Sequence, residues 1–225
     1  MLIRNGVQLL DMKTFSIMKI NLLDVPVYWI NASSATDRAK NMEELLSRCG
    51  FKNTHRIDAV IHENKVVGCA LSHIKALCVE DPYFIVMEDD ILETEHFKSE
   101  IEVPDDFDSF YLGTSYWPNE MNRARASLLS NSTQKKKINE DVYQISHMTA
   151  LHSVLYKNGD YNKVAAKSIF EYLRNPNGNL HCDVVTAELQ SSYKVYAASY
   201  PFFYQEDKNN PDNKFWTLKP LKEFE

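Results

Sequence analysis

Glycine is scarce in this chain, and its scarcity narrows the kinds of binding site that the sequence can encode. Only 6 of the 225 residues are glycine. They form neither the glycine-rich phosphate loop of P-loop proteins nor the glycine fingerprint of dinucleotide-binding folds. We also find no internal repeat of the kind that marks solenoids and propellers. At this length the chain is predicted to form one ordinary domain with a full core.

Long apolar runs and an excess of basic residues are also missing. No segment approaches the ~18 unbroken apolar residues of a membrane-spanning helix. The net charge of −6 leaves no broad basic surface for nucleic acid. We therefore expect no membrane span and no nucleic-acid partner. The cysteines Cys49, Cys69, Cys78 and Cys182 form no C-x-x-C pair, which indicates reduced core thiols rather than a zinc site or a disulfide framework and fits a cytoplasmic location.

A short apolar run that ends on three consecutive acids is the most informative feature that is present. Residues 82–90 read Pro-Tyr-Phe-Ile-Val-Met-Glu-Asp-Asp. The run is typical of a buried strand, whose carboxyl end would face the crevice where open α/β sheets bind ligands. Three adjacent carboxylates repel unless a cation or solvent neutralises them, and hard oxygen ligands suit Mg²⁺ or Mn²⁺. The acids indicate a metal and phosphate site, with a solvated acidic turn as the alternative.

The first half of the chain alternates strands and helices. Residues 25–30 read as a strand, and a polar turn then leads into a helix that has capping-box spacing at Ser34 and Asp37 and a stop at Gly50. A strand over 54–60 and a helix over 69–80 precede the acidic strand. This order predicts an α/β fold with a mainly parallel central sheet flanked by helices. The loops over residues 31–38, 58–68 and 88–92 are then expected to meet at one edge.

The second half of the chain has fewer sequence signals that mark its strands and helices. Further strands are expected over 107–112, 142–145, 149–155 and 194–198, and further helices over 161–173 and 182–191. Residues 116–140 are polar and predict a long loop, either a lid or a disordered insertion. The aromatic-rich stretch from Pro201 onward is predicted to be irregular. We divide the chain into an N-terminal extension (1–24), one domain (25–206) and a C-terminal tail (207–225).

Three segments together match a family pattern. They are Tyr28-Trp-Ile-Asn31 followed by Asp37-Arg38, then Gly68-Cys-Ala-Leu-Ser-His-Ile74, and then Val86-Met-Glu-Asp-Asp90. On these segments the chain resembles glycosyltransferase family 25, the lipooligosaccharide and collagen galactosyltransferase group, whose members have a GT-A fold. The resemblance spans residues 25–206, and the proportions of the chain also resemble a small virus-encoded glycosyltransferase domain that modifies a capsid glycoprotein. Lys157-Asn-Gly-Asp160 departs from the Gly-Ala pair that is usual in the family.

The resemblance implies a metal-dependent transfer of a sugar from a nucleoside-diphosphate donor. A UDP-sugar is the expected donor, a hydroxyl of a glycan or glycoprotein is the expected acceptor, and inversion is the expected outcome. Mn²⁺ or Mg²⁺ would offset the charge of the leaving diphosphate. Asp90 is the first expected ligand, Glu88 and Asp89 share metal, water and ribose contacts, and His181 is a further candidate ligand, with an exposed histidine at a helix start as the alternative.

The remaining site residues are also assigned through the resemblance. Asn31 and Ser33 would bind the base and ribose, and Arg38 would contact the pyrophosphate or pair with Asp58. Ser72 and His73 lie in a predicted first helical turn, whose free amides favour an anion. Ordinary turn, cap and packing roles are the alternatives for these residues.

Transfer to an acceptor hydroxyl needs one general base. Asp183 resembles the acid near the acceptor in this fold, and Glu188 could substitute for it, while a helix N-terminal partner is the alternative role of Asp183. Two other functions stay open. One is a Mg²⁺-dependent phosphotransferase or receiver-like domain, which also clusters acids at strand ends. The other is a non-catalytic glycan-binding module.

Overall fold

The structure, a computed structural model, describes residues 16–115, 133–174, 181–206 and 217–224. The helices in these ranges are α1 (Thr36–Cys49), α2 (Lys65–Leu77), α3 (Asp160–Leu173) and α4 (Cys182–Leu189). The strands are β1 (Ile17–Asn21), β2 (Val27–Asn31), β3 (Thr54–Asp58), β4 (Tyr83–Glu88), β5 (Ile91–Glu93), β6 (Glu100–Pro104), β7 (Ser109–Tyr111), β8 (Gln134–Lys137), β9 (Val142–Ser146), β10 (Ser153–Lys157), β11 (Val195–Ala198) and β12 (Phe203–Gln205).

Eight strands form a central sheet in the order β3-β2-β4-β10-β7-β11-β9-β8. β3, β2 and β4 are parallel, as α1 and α2 cross between them. β11 is also parallel to β7, and the other four pairings are antiparallel. The expected α/β class, with a large central sheet flanked by helices, is confirmed. Parallel order predominates only in the N-terminal part of the sheet, because an apolar run reveals a buried strand but not its direction.

Two apolar cores lie on opposite faces of this sheet. One contains the buried side of α1, and the other contains those of α2 and α3. β4 contributes to both: Ile85 and Met87 pack in the first core, and Phe84 and Val86 in the second. This alternation is typical of a strand buried on both faces. The apolar run therefore forms a central strand, as the sequence predicts, and its acids emerge at the edge of the sheet.

The two helices that flank the acidic strand begin differently from the predictions. α1 ends at Gly50 as expected, with a left-handed φ of 92°. Its N-cap residue is Ala35, without a side-chain cap, so the capping box predicted at Ser34 is wrong. α2 begins at Lys65, four residues before the predicted start, because Asn64 Oδ1 accepts a hydrogen bond of 3.0 Å from the N–H of Val66.

Gly68 lies in the first part of α2 rather than before it, and its lack of a side chain matters. A Cβ at this position would lie 2.6 Å from the carbonyl oxygen of Val60. We expect Gly68→Ala to lower the free energy of unfolding by about 1–3 kcal/mol, because the helix and the 59–64 loop must move apart. Urea unfolding measures the change. Gly159→Ala is the matched control, since its Cβ would come no closer than 3.8 Å to another residue, and increased stability of Gly68→Ala would contradict the prediction.

Segments predicted to be irregular also pack on the domain. β1 pairs with β6 and Leu22 is fully buried, although the sequence indicated an extension through residue 24. β12 pairs with β5, and Leu221 is fully buried. The expected long loop lies outside the described residues up to 132, and β8 occupies part of its remainder. Among the described residues, no helix is both long and apolar enough to cross a membrane.

Candidate active site

The carboxyl ends of β2 and β4 meet at one edge of the sheet, where a cavity of about 620 Å³ opens. Loops that follow parallel strands converge at such an edge. The cavity therefore collects most of the side chains expected to bind the donor. The expected residues in its lining are Asn31, Arg38, Ser72, His73, Glu88, Asp89 and Asp90.

Asp89 is held by neighbouring protein groups. Asn31 Nδ2 donates to its Oδ2 at 2.5 Å, and Arg38 Nη1 donates to its Oδ1 at 3.0 Å. Asn31 is buried, and its Oδ1 has no hydrogen-bond partner among the described residues. A buried acceptor without a partner is costly. The amide of Asn31 thus holds Asp89 while its own oxygen is left without a partner among the described residues.

Glu88 bridges two partners from distant parts of the chain. Its Oε1 lies 2.9 Å from Nε2 of His73, and its Oε2 accepts a 2.8 Å hydrogen bond from Nε2 of Gln205. Burial acts to raise the pKa of Glu88, but the hydrogen bond and charge of His73 hold it below its ordinary value. Burial likewise acts to lower the pKa of His73, while Cys69 and Glu88 raise it to about 10. Each partner therefore favours the charged form of the other.

Asp90 is the acid whose negative charge the protein compensates least. Its Oδ1 accepts a 3.3 Å hydrogen bond from Gln205 Nε2, and its Oδ2 lies 3.7 Å from Arg38 Nη1. Burial and then the charge of Glu88 raise the pKa of Asp90 to about 7. A carboxyl group in this situation gains strongly from a cation beside it. Its hard oxygens fit Mg²⁺ or Mn²⁺.

Three of the expected donor-binding residues are engaged elsewhere or exposed. Ser72 Oγ donates to the carbonyl of Gly68 at 2.7 Å and accepts from the N–H of Val60 at 2.8 Å, so it joins α2 to the preceding loop. Asp58 ends β3 with its side chain exposed and pairs with Arg56 at 3.6 Å. Arg38 does not pair with Asp58 but contacts Asp89 and Asp90. Ser33 is exposed in the loop after β2.

The residues expected near the acceptor lie on or beside α4. His181 is exposed and immediately precedes the helix. Asp183 is half-buried in the first turn, where its Oδ1 accepts from the N–H of Val184 at 2.9 Å. Glu188 is half-buried near the other end. None of the three is in the lining of the cavity, and their catalytic and metal roles stay predictions.

Sequence reasoning missed two features of this site. Gln205 belongs to a segment, Pro201-Phe-Phe-Tyr-Gln205, that matches the family pattern only weakly, and the sequence assigned it no role in the site. Cys69 and Cys182 were expected to be separate core thiols, yet their sulfurs are 4.0 Å apart beside His73. The signal available for the second feature is the spacing of Cys69 and His73, four residues apart on one helix, which places both on the same face.

Comparisons with known proteins give remote likenesses. Neither models of protein families nor curated proteins give a match. Among solved structures, a nucleoside-diphosphate-sugar pyrophosphorylase from Vibrio cholerae is 13% identical with a TM-score of 0.43, covering 78% of this chain and 73% of that one. CTP:phosphocholine cytidylyltransferase from Streptococcus pneumoniae is 11% identical with a TM-score of 0.45, covering 85% and 97%.

A third solved structure with a similar arrangement is a UDP-glucose pyrophosphorylase in complex with UDP-glucose. It is 12% identical with a TM-score of 0.42, covering 84% of this chain and 80% of that one. Likenesses this remote carry no argument about activity. Function depends on the residues of the site rather than on the fold.

Proposed function

We propose that this chain is a metal-dependent glycosyltransferase that takes a sugar from a nucleoside diphosphate and moves it to a hydroxyl of a glycan or glycoprotein. The proposal joins the motif resemblance to the geometry of the cavity. UDP-sugar is the proposed donor, and Mn²⁺ or Mg²⁺ is the proposed metal. Cleavage of the sugar–phosphate bond leaves charge on the diphosphate, and a divalent cation supplies the positive charge that stabilises it.

The observation that carries the proposal is the incomplete neutralisation of the acids. Arg38 and Asn31 engage Asp89, while His73 and Gln205 engage Glu88. Asp90 is left with a long contact to Arg38 and one shared amide donor. A site evolved only for stability would not be expected to hold a buried carboxyl in this state. Asp90 is therefore the proposed metal ligand, assisted by Glu88.

The remaining groups of the cavity suit the rest of the donor. Arg38 carries a fixed positive charge, and its side chain is 41% exposed, so it can contact a diphosphate at the mouth. Lys65, at the start of α2, lines the same cavity and adds a second cation. Asn31 lines the same cavity beside Asp89, where the base or ribose would lie. A volume of about 620 Å³ is in the range of sites for ligands of this size.

Metal-dependent UDP binding is the first test of the proposal. We expect Asp90→Ala to weaken binding of UDP in the presence of Mn²⁺ at least about 100-fold, because even changes around a metal's direct ligands cost 10–100-fold. Isothermal titration calorimetry on the full chain measures the affinity. Glu171→Gln is the matched control, an exposed acid on α3 that pairs with Lys167. Equal affinities of Asp90→Ala and the parent would refute the site assignment.

The products distinguish sugar transfer from related reactions. With a panel of sugar nucleotides and Mn²⁺, a glycosyltransferase releases the nucleoside diphosphate, even by slow hydrolysis in the absence of an acceptor. A nucleotidyltransferase instead needs pyrophosphate and forms the nucleoside triphosphate. A receiver-like protein incorporates phosphate from a small phosphodonor. Release of UDP only in the presence of metal supports the proposal, and either of the other two products overturns it.

A further inference from the structure

Two cysteines and a histidine lie together behind the acidic cluster. Cys69 and His73 lie on α2, and Cys182 is the first residue of α4. One ligand atom from each lies within 4.8 Å of the others, and the two sulfurs are 4.0 Å apart. His73 and Cys182 are buried, whereas Cys69 is exposed and lines the donor cavity. Cys69 and Cys182 are 113 positions apart in the sequence.

We propose that Cys69, His73 and Cys182 form a second cation site that binds Zn²⁺ or a similarly thiophilic divalent ion. The inference goes beyond the proposed function and does not depend on it. Thiolate and imidazole ligands select zinc, whereas carboxylates suit Mg²⁺ and Mn²⁺. The two adjacent sites would therefore take different metals.

The spacing of the ligand atoms fits tetrahedral zinc. With Zn–S bonds of about 2.3 Å, two sulfurs on a tetrahedral ion lie about 3.8 Å apart. The observed 4.0 Å between the sulfurs of Cys69 and Cys182 is close to this value. It is far longer than the ~2.05 Å of a disulfide. Both cysteines are free thiols in the structure.

The partner of His73 is the type of group that supports a metal-bound histidine. Its Nε2 lies 2.9 Å from the carboxylate of Glu88, so Nδ1 would bind the ion, and its proton would be released on binding. Histidines that bind metals usually donate their other ring N–H to a carboxylate, which fixes the orientation of the ring. Glu88 would thus link the two sites, since it supports the zinc-binding histidine and also lies beside Asp90. The ion would join α2 to α4, and the contact between Glu88 and His73 would link the ion to β4.

The chemistry of the thiols is consistent with this role. Cys182 and then His73 lower the pKa of Cys69. A thiolate is the form that binds a metal. Cys69 opens towards the cavity, so the fourth coordination position would face solvent or a ligand there. Three protein ligands and one open position are typical of zinc sites that exchange a ligand.

Cobalt substitution tests the site by a readout that is independent of enzymatic activity. The full chain is stripped with a chelator, kept reduced, and titrated first with Co²⁺ and then with Zn²⁺. We expect an intense thiolate-to-cobalt charge-transfer band that corresponds to one thiolate-bound Co²⁺ per chain, and loss of that band when one equivalent of Zn²⁺ is added. The substitutions Cys69→Ser and Cys182→Ser should each weaken Zn²⁺ binding at least about 100-fold, because each removes a direct ligand.

Two control variants make the result specific. Cys78→Ser changes an exposed cysteine at the C-terminal end of α2 and should keep the band. Asp90→Asn should also keep it, because Asp90 belongs to the other site. The proposal is overturned if the parent shows no band at one equivalent, or if the band survives in Cys69→Ser. It is also overturned if Asp90→Asn alone removes the bound ion. Because Cys69 is exposed, we expect Cys69→Ser to fold. This variant therefore tests the proposal even if Cys182→Ser does not fold.

Discussion

In metal-free protein at pH 8, Asp90→Asn is expected to raise the free energy of unfolding by about 2–4 kcal/mol. Asp90 has an ordinary pKa of 3.8, and burial together with Glu88 raises it to about 7 in the folded protein. Each pH unit between these values corresponds to about 1.4 kcal/mol. The expected gain is smaller than the pKa difference multiplied by this energy, because the side chain of Asp90 is still 14% exposed and water screens its charge. Asparagine carries no charge, so it avoids this penalty, and its oxygen can still accept from Gln205.

The sign of this effect determines how it varies with pH. Below about pH 4 the carboxyl is protonated in both the folded and unfolded states, and it contributes no pH dependence. Between about pH 4 and 7 the unfolded chain releases the proton while the folded protein retains it, so the stability contributed by Asp90 falls as the pH rises. Above about pH 7 the penalty is constant. The advantage of Asp90→Asn should therefore grow from pH 5 to 7 and level off at pH 8.

Urea unfolding at pH 5, 6, 7 and 8 in the presence of a chelator measures this difference. Glu171→Gln, the exposed control on α3, should differ from the parent by the same small amount at every pH. When Mn²⁺ and UDP are added, the proposed function predicts that the parent gains stability and Asp90→Asn does not. A variant that is less stable than the parent at pH 8, or a difference that does not vary with pH, would argue against an uncompensated charge at Asp90.

Gly113→Ala is expected to lower the free energy of unfolding by about 3 kcal/mol, at the upper end for overpacking. Gly113 follows β7 and lies against the residues that carry β12. A Cβ there would come 2.1 Å from Nε2 of His152 and 2.9 Å from the carbonyl oxygen of Phe203. His152 is buried and Phe203 belongs to β12, so neither can move without disturbing its surroundings. Relief of the clash requires β12 to shift.

A shift of β12 should also weaken the proposed metal site, because this strand ends at Gln205. We expect Gly113→Ala to bind UDP in the presence of Mn²⁺ about 10-fold more weakly, as is typical when a partner of a metal ligand is misplaced. Urea unfolding and calorimetry measure the two effects. Gly159→Ala again serves as the unhindered control. If Gly113→Ala loses stability but keeps its UDP affinity, Gly113 matters for packing and not for the metal site. Unchanged stability would refute the predicted clash.

The sequence was sufficient for the parts of the fold that depend on local pattern. The apolar run before the acids predicted β4, and Gly50 predicted the end of α1. β5 and β12 were missed because each has only three residues and is held by pairing with the other. β1 was missed for a similar reason, since it is stabilised by pairing with β6, which lies far along the chain. Pairing between distant segments leaves little local signal.

The candidate site was likewise predictable from the sequence only in part. The motif segments predicted that Asn31, Arg38 and the acids would share one edge, and the cavity collects them there. The sequence could not reveal how the charges are shared, because Asp89 and Asp90 are adjacent and chemically identical. Their difference arises from the positions of Arg38 and Gln205 in the folded chain. The thiol cluster was missed since Cys182 reaches α2 only through the packing of α4.

The contact between Gln205 and Glu88 spans 117 residues of sequence. During synthesis the acids leave the ribosome well before the strand that supplies their amide donor. Chains grow from the N-terminus at about 5–20 residues per second, so an emerging chain carries incompletely compensated carboxylates for several seconds. The proposed donor pocket is complete only when this late segment arrives, so under the proposed function donor binding would report that the chain has folded through β12.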